Sequence, residues 1–154
     1  MTVPFQREGG KTQLDCGPDP LLACGIDRVA PDDLDLPLAM ARVMQWLALS
    51  ENEIQYGLAR ARAALQFGAP WNVEECQRVG RGALQLLQGR LETAEWLAAE
   101  HITIADLACY PYVALAPQSG VELASFPAVT TWVGRVQALP RYAGMPNMFV
   151  AADK

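Results

Sequence analysis

The sequence predicts a mainly all-α domain, a helical bundle, preceded by a short irregular or β-hairpin segment. Three observations predict it. From residue 36 to residue 139, apolar residues recur at three- and four-residue spacing, the period of a helix that buries one face. Capping sequences, Asn72-x-x-Glu75 and Thr103-x-x-Asp106, stand where that periodicity restarts. Prolines fall in the first turn of a run (Pro37, Pro127) or just past its end (Pro70, Pro140), where a missing N–H costs little.

Residues 1–34 differ in composition from the rest. They hold Gly9-Gly10, Gly17-Pro18, Pro20, Gly25 and Pro31. Short extended pieces over 3–6 and 12–14 with a turn at Gly9-Gly10 fit the hairpin reading. A helix over 17–29 is poorly encoded, because Pro20 and Gly25 would sit inside it.

The first helix is expected over 36–67, burying Val43, Trp46, Leu47, Ile54, Leu58, Ala61 and Leu65, and ending at Gly68 and Pro70. Gly57 in its interior costs about 1 kcal/mol against alanine, so a close helix crossing or a bend is expected there. The second helix is expected over 73–97. Asn72 and Glu75 would cap it, Trp71 and Cys76 would form an apolar staple, and Val79, Ala83, Leu86, Leu87, Leu91, Ala94 and Trp96 would be buried. The third starts at Ile104 and runs to about residue 116, with Pro111 inside it and a kink expected there. The fourth starts at Pro127 and presents Val129, Trp132, Val133, Val136 and Leu139 on one face. Trp46, Trp96 and Trp132 read as core. These runs divide the chain into an arm (1–34), a helical domain (35–146) and a tail (147–154).

The chain has 154 residues, enough for one domain with its own core, and its 51% hydrophobic and 19% charged residues are an ordinary globular balance. A net charge of −5 with no Lys/Arg cluster argues against nucleic acid as partner. No apolar run approaches the ~18 residues that span a bilayer, and the N-terminus lacks the apolar core of a signal peptide. A cytoplasmic protein with no membrane partner is expected. The four cysteines (16, 24, 76, 109) make no Cys-x-x-Cys, and the single histidine, His101, abuts a helix start and reads as a loop residue. No metal site is expected, and Cys76 and Cys109 read as packed, reduced thiols.

Asp106, a carboxylate among apolar residues in "HITIADLACYPYV" (101–113), could be a shifted catalytic group or a helix cap. Thr103 at the N-cap and Asp106 at N3, flanked by Ile102 and Leu107 at the staple positions, favour the cap.

The segments "ARVMQWLALSENEIQYGLARAR" (41–62), "LQLLQGRLETAEWLAAEHITIADLACYPYV" (84–113) and "FPAVTTWVGRVQALPRYAGMP" (126–146) resemble the C-terminal domain of glutathione S-transferases, the bacterial soluble type most closely. The Thr-Ile-Ala-Asp box and the Phe-Pro…Trp…Arg-Val…Leu-Pro ending carry the resemblance. It implies the glutathione S-transferase C-terminal-like helical bundle, a capping and folding role for Thr103 and Asp106, and glutathione as cosubstrate. It also implies a thioredoxin-like domain ahead of the helices, which holds most of the glutathione site and the thiol-activating residue. A domain needs roughly 50 residues or more, so residues 1–34 resemble only the second half of such a unit, a truncated remnant.

By that resemblance Val3-Pro4 stands where a loop bonds the cysteinyl backbone of glutathione. Asp15-Cys16 stands where an Asp/Glu-Ser pair holds its γ-glutamyl carboxylate. An arm with no ligand role is the competing reading. Cys16 as a reactive thiol is a further alternative. Glu53, Tyr56 and Arg60 lie on the helix that walls the electrophile pocket in the family. Packing for Tyr56, and a solvated charge for Arg60 and Arg62, are the competing readings. Catalytic residues are not assigned.

Two functions follow. One is transfer of the glutathione thiolate to a small electrophile, impaired in this chain for want of the thiol-activating segment. The other is a non-catalytic helical module that binds an apolar ligand or a protein partner through an apolar patch on the first and third helices. A homodimer is the family habit.

Overall fold

The computed structural model describes residues 36–145 and 148–150. The expectations for the arm, with Val3, Pro4, Asp15 and Cys16, lie outside the described residues, as do residues 151–154.

The first long helix changes its winding along its length. Helix α1 (Leu36–Leu49) passes into a π-helical segment (Ser50–Ala59) and then into α2 (Arg60–Phe67). A regular α-helix over 36–67 was the simpler expectation. The reason for the difference is in the pattern of burial. Trp46, Ser50, Ile54 and Leu58 are all buried, four residues apart each time. At 3.6 residues per turn such a series drifts off one face, whereas a wider turn holds it there. The Arg60 N–H accordingly reaches back to the Gln55 carbonyl. Where α-winding resumes, Ala61 is still fully buried but Leu65, four residues on, has rotated to half exposure, contrary to expectation.

Gly68 ends α2 in the left-handed conformation (φ 68°). The N–H groups of Gly68 and Ala69 then close back on Ala64 and Ala63 at 3.1 and 3.2 Å, a paired cap that glycine makes without strain.

Helix α3 (Val73–Leu91) starts where Asn72 Oδ1 accepts the Glu75 N–H at 3.1 Å. The expected reciprocal arm is replaced: Glu75 turns both carboxylate oxygens to Arg78, at 2.6 and 2.9 Å. Trp71, expected as the outer half of a staple, is 44% exposed. The buried face of α3 is Cys76, Gly80, Ala83, Leu84, Leu87 and Leu91. Leu86, expected on it, is 57% exposed, because it stands about 100° around the helix from Leu87.

The long first helix and α3 cross at two glycines. A methyl group built on Gly57 would lie 2.6 Å from Gly80 Cα and nearer still to Gly80 N. The crossing expected from Gly57 is there, and the π segment adds the change in winding.

Helix α3 stops at Leu91, six residues short of the expected end. Leu97 explains it. Its N–H goes to Asp106 Oδ1 at 3.0 Å, and its carbonyl accepts from Arg90 Nε at 2.9 Å. A backbone committed to both cannot continue the helical ladder. Ala94 and Trp96 are half-buried rather than helical.

Helix α4 (Ile104–Ala114) carries Pro111 inside it and ends two residues before the expected position. The chain then turns through two short 3₁₀ pieces (Ala116–Ser119 and Leu123–Ser125) into α5 (Pro127–Gln137). Helix α4 packs against α1, the π segment and α5, and α3 packs against the π segment and α5. The core lies among these elements and includes Ile54, Leu58, Leu84, Leu87, Val113 and Trp132. Residues past α5 fold back on this body, with the Phe149 N–H on the Ala114 carbonyl at 2.9 Å. Among the described residues no helix is long and apolar enough to cross a membrane.

Candidate functional site

Asp106 is fully buried at the start of α4 and makes four hydrogen bonds. Its Oδ2 accepts from the Thr103 N–H at 2.9 Å and from Thr103 Oγ1 at 3.1 Å. Its Oδ1 accepts from the Leu97 N–H and from Trp132 Nε1, both at 3.0 Å. Thr103 Oγ1 in turn accepts from the Ala105 N–H at 3.2 Å, and the capping box is complete. The carboxylate therefore ties three elements together: the α3–α4 connection, the α4 N-terminus and the indole of α5. With four donors around it and no exposed surface, it has no free edge for a substrate. Sequence spacing marks Thr103 as its partner but gives no sign of Leu97 or Trp132.

Tyr56, Arg60 and Trp71 form the second cluster. Tyr56 and Arg60 are four residues apart, and the Arg60 guanidinium lies 3.9 Å from the Tyr56 ring centroid. The Gly68–Pro70 turn brings Trp71 back, so the same guanidinium lies 4.1 Å from its ring centroid. Arg62, two residues on, faces elsewhere: its Nε donates to Gln118 Oε1 at 2.8 Å, and its guanidinium lies 5.2 Å from the Phe67 ring. The sequence pairs Tyr56 with Arg60 by spacing. Trp71 escapes that logic because its approach depends on the turn.

Glu53 is not part of this cluster. It lines a groove of about 520 Å³ between the first long helix and α3, with Trp46, Leu49, Leu86 and Arg90 among the other walls. Leu86 is exposed because it faces this groove rather than the core. The structure thus joins two of the three residues expected around an electrophile and sets the third in a separate recess.

A smaller cavity of about 290 Å³ lies between α4, α5 and the returning tail, lined chiefly by Leu107, Pro111, Val136, Leu139, Met145 and Met148. Tyr110 closes one side. Its hydroxyl meets that of Tyr142 and accepts from Gln137 Nε2 at 3.2 Å. Burial, and then the Tyr142 hydroxyl, push the Tyr110 phenol above its ordinary range. Gln137 Nε2 also donates to the Phe149 carbonyl at 2.6 Å and so anchors the tail.

The two cysteines among the described residues are unpaired and buried. Burial, with the Asp106 carboxylate as a second cause, pushes the Cys109 thiol up to about 12, so it stays protonated and unreactive at neutral pH. His101 is exposed in a bend. No group of three or more His, Cys, Asp or Glu side chains among the described residues is placed to hold a metal.

Comparison with known proteins decides the family. Residues 51–140 match the family "Glutathione S-transferase, C-terminal domain". The chain belongs to the glutathione S-transferase family. A solved glutathione S-transferase from Xanthobacter autotrophicus Py2 superposes with a TM-score of 0.66 at 33% identity, over 71% of this chain and 56% of that one. The disulfide-bond oxidoreductase YfcG of Escherichia coli strain K12 is 35% identical over 71 residues, which are 46% of this chain and 33% of that protein. Elongation factor 1-gamma 1 of Saccharomyces cerevisiae is 29% identical over 131 residues, 81% of this chain and 31% of that protein. The chain therefore spans about a third of the length of these two curated relatives. Within the glutathione S-transferase family, the stretch of this chain that matches begins at the π segment and ends at Pro140, just after α5.

Proposed function

We propose that the chain acts in the chemistry of its family, transfer of the glutathione thiolate to a small electrophile, as the helical wall that holds the second substrate. The family match over residues 51–140 carries this reading. Tyr56 and Arg60 are the proposed contacts for the electrophile: both stand on the long first helix, and Tyr56 is 45% exposed. Glu53 would act only on a ligand long enough to reach the neighbouring groove. Glutathione is the proposed cosubstrate, with Val3, Pro4, Asp15 and Cys16 as the residues that would meet it. A cytoplasmic setting goes with this chemistry.

Thiolate attack needs a donor that lowers the thiol pKa and a site that holds both partners within reach. Among the described residues, neither buried thiol nor the Asp106 carboxylate has a free edge to serve, and the Tyr110 phenol is tied to Tyr142 and Gln137. Slow conjugation by the chain is the expected result. Assay with glutathione and a generic aromatic electrophile reads this directly. Turnover equal to that of full-length family members would refute it.

A second reading has its own support. The likeness to elongation factor 1-gamma 1 runs over 81% of this chain. Helices α1 and α4 expose Leu38, Met40 and Met44, and Ile104 and Leu107, respectively. A non-catalytic module that docks a protein partner or a second copy of itself through those side chains fits both facts. Self-association in light scattering, with no turnover, would favour it over the first reading.

A further inference from the structure

The Arg60 guanidinium lies over two aromatic rings, with its central carbon 3.9 Å from the Tyr56 centroid and 4.1 Å from the Trp71 centroid. Stacking of this kind uses the faces of the cation and leaves its N–H donors pointing outward in the guanidinium plane. Among the described residues, none of those N–H groups has a hydrogen-bond acceptor, although Arg62, two residues on, has one in Gln118. The cluster reaches solvent: Tyr56 is 45% and Trp71 44% exposed.

The local field also favours an anion. Trp71 immediately precedes the N-cap of α3, so the positive dipole end of a 19-residue helix begins beside the cluster. Glu75 in the first turn of α3 is taken up by Arg78, at 2.6 Å, which holds its carboxyl below the usual range. Glu74 is the other acid of that turn, and it is exposed to screening solvent.

We propose that the Tyr56–Arg60–Trp71 stack is a recognition site for a planar carboxylate, and that the second ligand of this chain carries one. The proposal rests on the reading of Tyr56 and Arg60 as ligand contacts. Shape selects among anions. A guanidinium edge and a carboxylate share one plane and pair through two parallel N–H···O bonds. A tetrahedral sulfonate or phosphate puts an oxygen out of that plane and matches the fork less well. The site therefore prefers a carboxylate to a sulfonate, and either to a neutral amide.

The test is a titration of the whole chain followed by the Arg side-chain Nε–H signals in NMR at constant ionic strength, with benzoate, benzenesulfonate and benzamide as probes. A saturable shift of the Arg60 signal with benzoate is expected, a weaker one with benzenesulfonate and none with benzamide. Charge-assisted bidentate pairing implies that Arg60→Gln weakens benzoate binding by about tenfold or more. Arg60→Lys, which keeps the charge and loses the fork, should fail to restore it. Trp71→Leu should weaken binding, and Trp71→Phe should recover most of it. The variants change partly exposed positions, and circular dichroism verifies that each is folded. No saturable shift with benzoate, equal shifts with all three probes, or full binding by Arg60→Gln would overturn the proposal. Glutathione binding and conjugation of a neutral electrophile test the underlying reading separately, so the two can fail independently.

Discussion

Asp106→Ala is expected to destabilise the fold by about 5 kcal/mol, because it strands three buried N–H donors at once, besides freeing the Thr103 hydroxyl, and each stranded donor costs about 1–3 kcal/mol. The three N–H donors are the backbone groups of Leu97 and Thr103 and the indole of Trp132. Asp106→Asn should cost less, about 2 kcal/mol, since one amide oxygen can still accept from Leu97 and Trp132 while the amide nitrogen faces the Thr103 N–H. Thr103→Ala removes only the cap hydroxyl and should cost about 1 kcal/mol. Urea unfolding of the three variants gives the order directly. An Asp106→Ala protein with the stability of Thr103→Ala would show that Leu97 and Trp132 do not depend on the carboxylate.

The helix crossing provides the second large effect. A Cβ on Gly57 would meet backbone, Gly80 N and Cα and, at 3.1 Å, Val79 C, so the two helices must separate. A Cβ on Gly80 would instead meet chiefly the Leu58 side chain, Cδ2 at 2.7 Å and Cγ at 3.1 Å, with the Leu58 backbone N at 3.3 Å. Gly57→Ala should therefore cost about 2 kcal/mol even after the roughly 1 kcal/mol gained in helix propensity. Gly80→Ala should cost less, about 1 kcal/mol, because its tightest contacts are side-chain atoms, although buried Leu58 has little room to shift. Thermal unfolding of the pair tests the asymmetry, and equal losses would place the tight contact elsewhere.

The legible part of the fold follows from local chemistry. Thr103-x-x-Asp106 gave the start of α4, Gly68 and Pro70 gave the end of α2, and the Val129–Trp132–Val133–Val136 spacing gave the buried face of α5. Long-range partners were not legible. Leu97 lies nine residues from Asp106 and Trp132 lies 26, and neither spacing carries a helical signal. For the same reason periodicity alone overextends α3: it runs on through Ala94 and Trp96, and the tertiary bonds of Leu97 stop the helix. The π segment has a trace in the four-residue spacing of Trp46, Ser50, Ile54 and Leu58, but Ser50 is polar and interrupts the apolar pattern. Its hydroxyl is buried because it donates to the Ala108 carbonyl at 2.9 Å.

The candidate site divides in the same way. Tyr56 and Arg60 are joined by helical spacing and could be paired from the sequence. Trp71 joins them only through the turn after Gly68, and Glu53 stands apart from them, on the groove beside α3. Leu86 and Arg90 on the far side of that groove carry no motif at all.

The family chemistry stands or falls with glutathione. Calorimetric titration of the whole chain with glutathione, repeated on Cys16→Ser, tests that most directly. A saturable heat is expected, with tighter binding when serine supplies the stronger hydroxyl donor at position 16. No heat from either protein would contradict a glutathione site and leave the helical module as the better description.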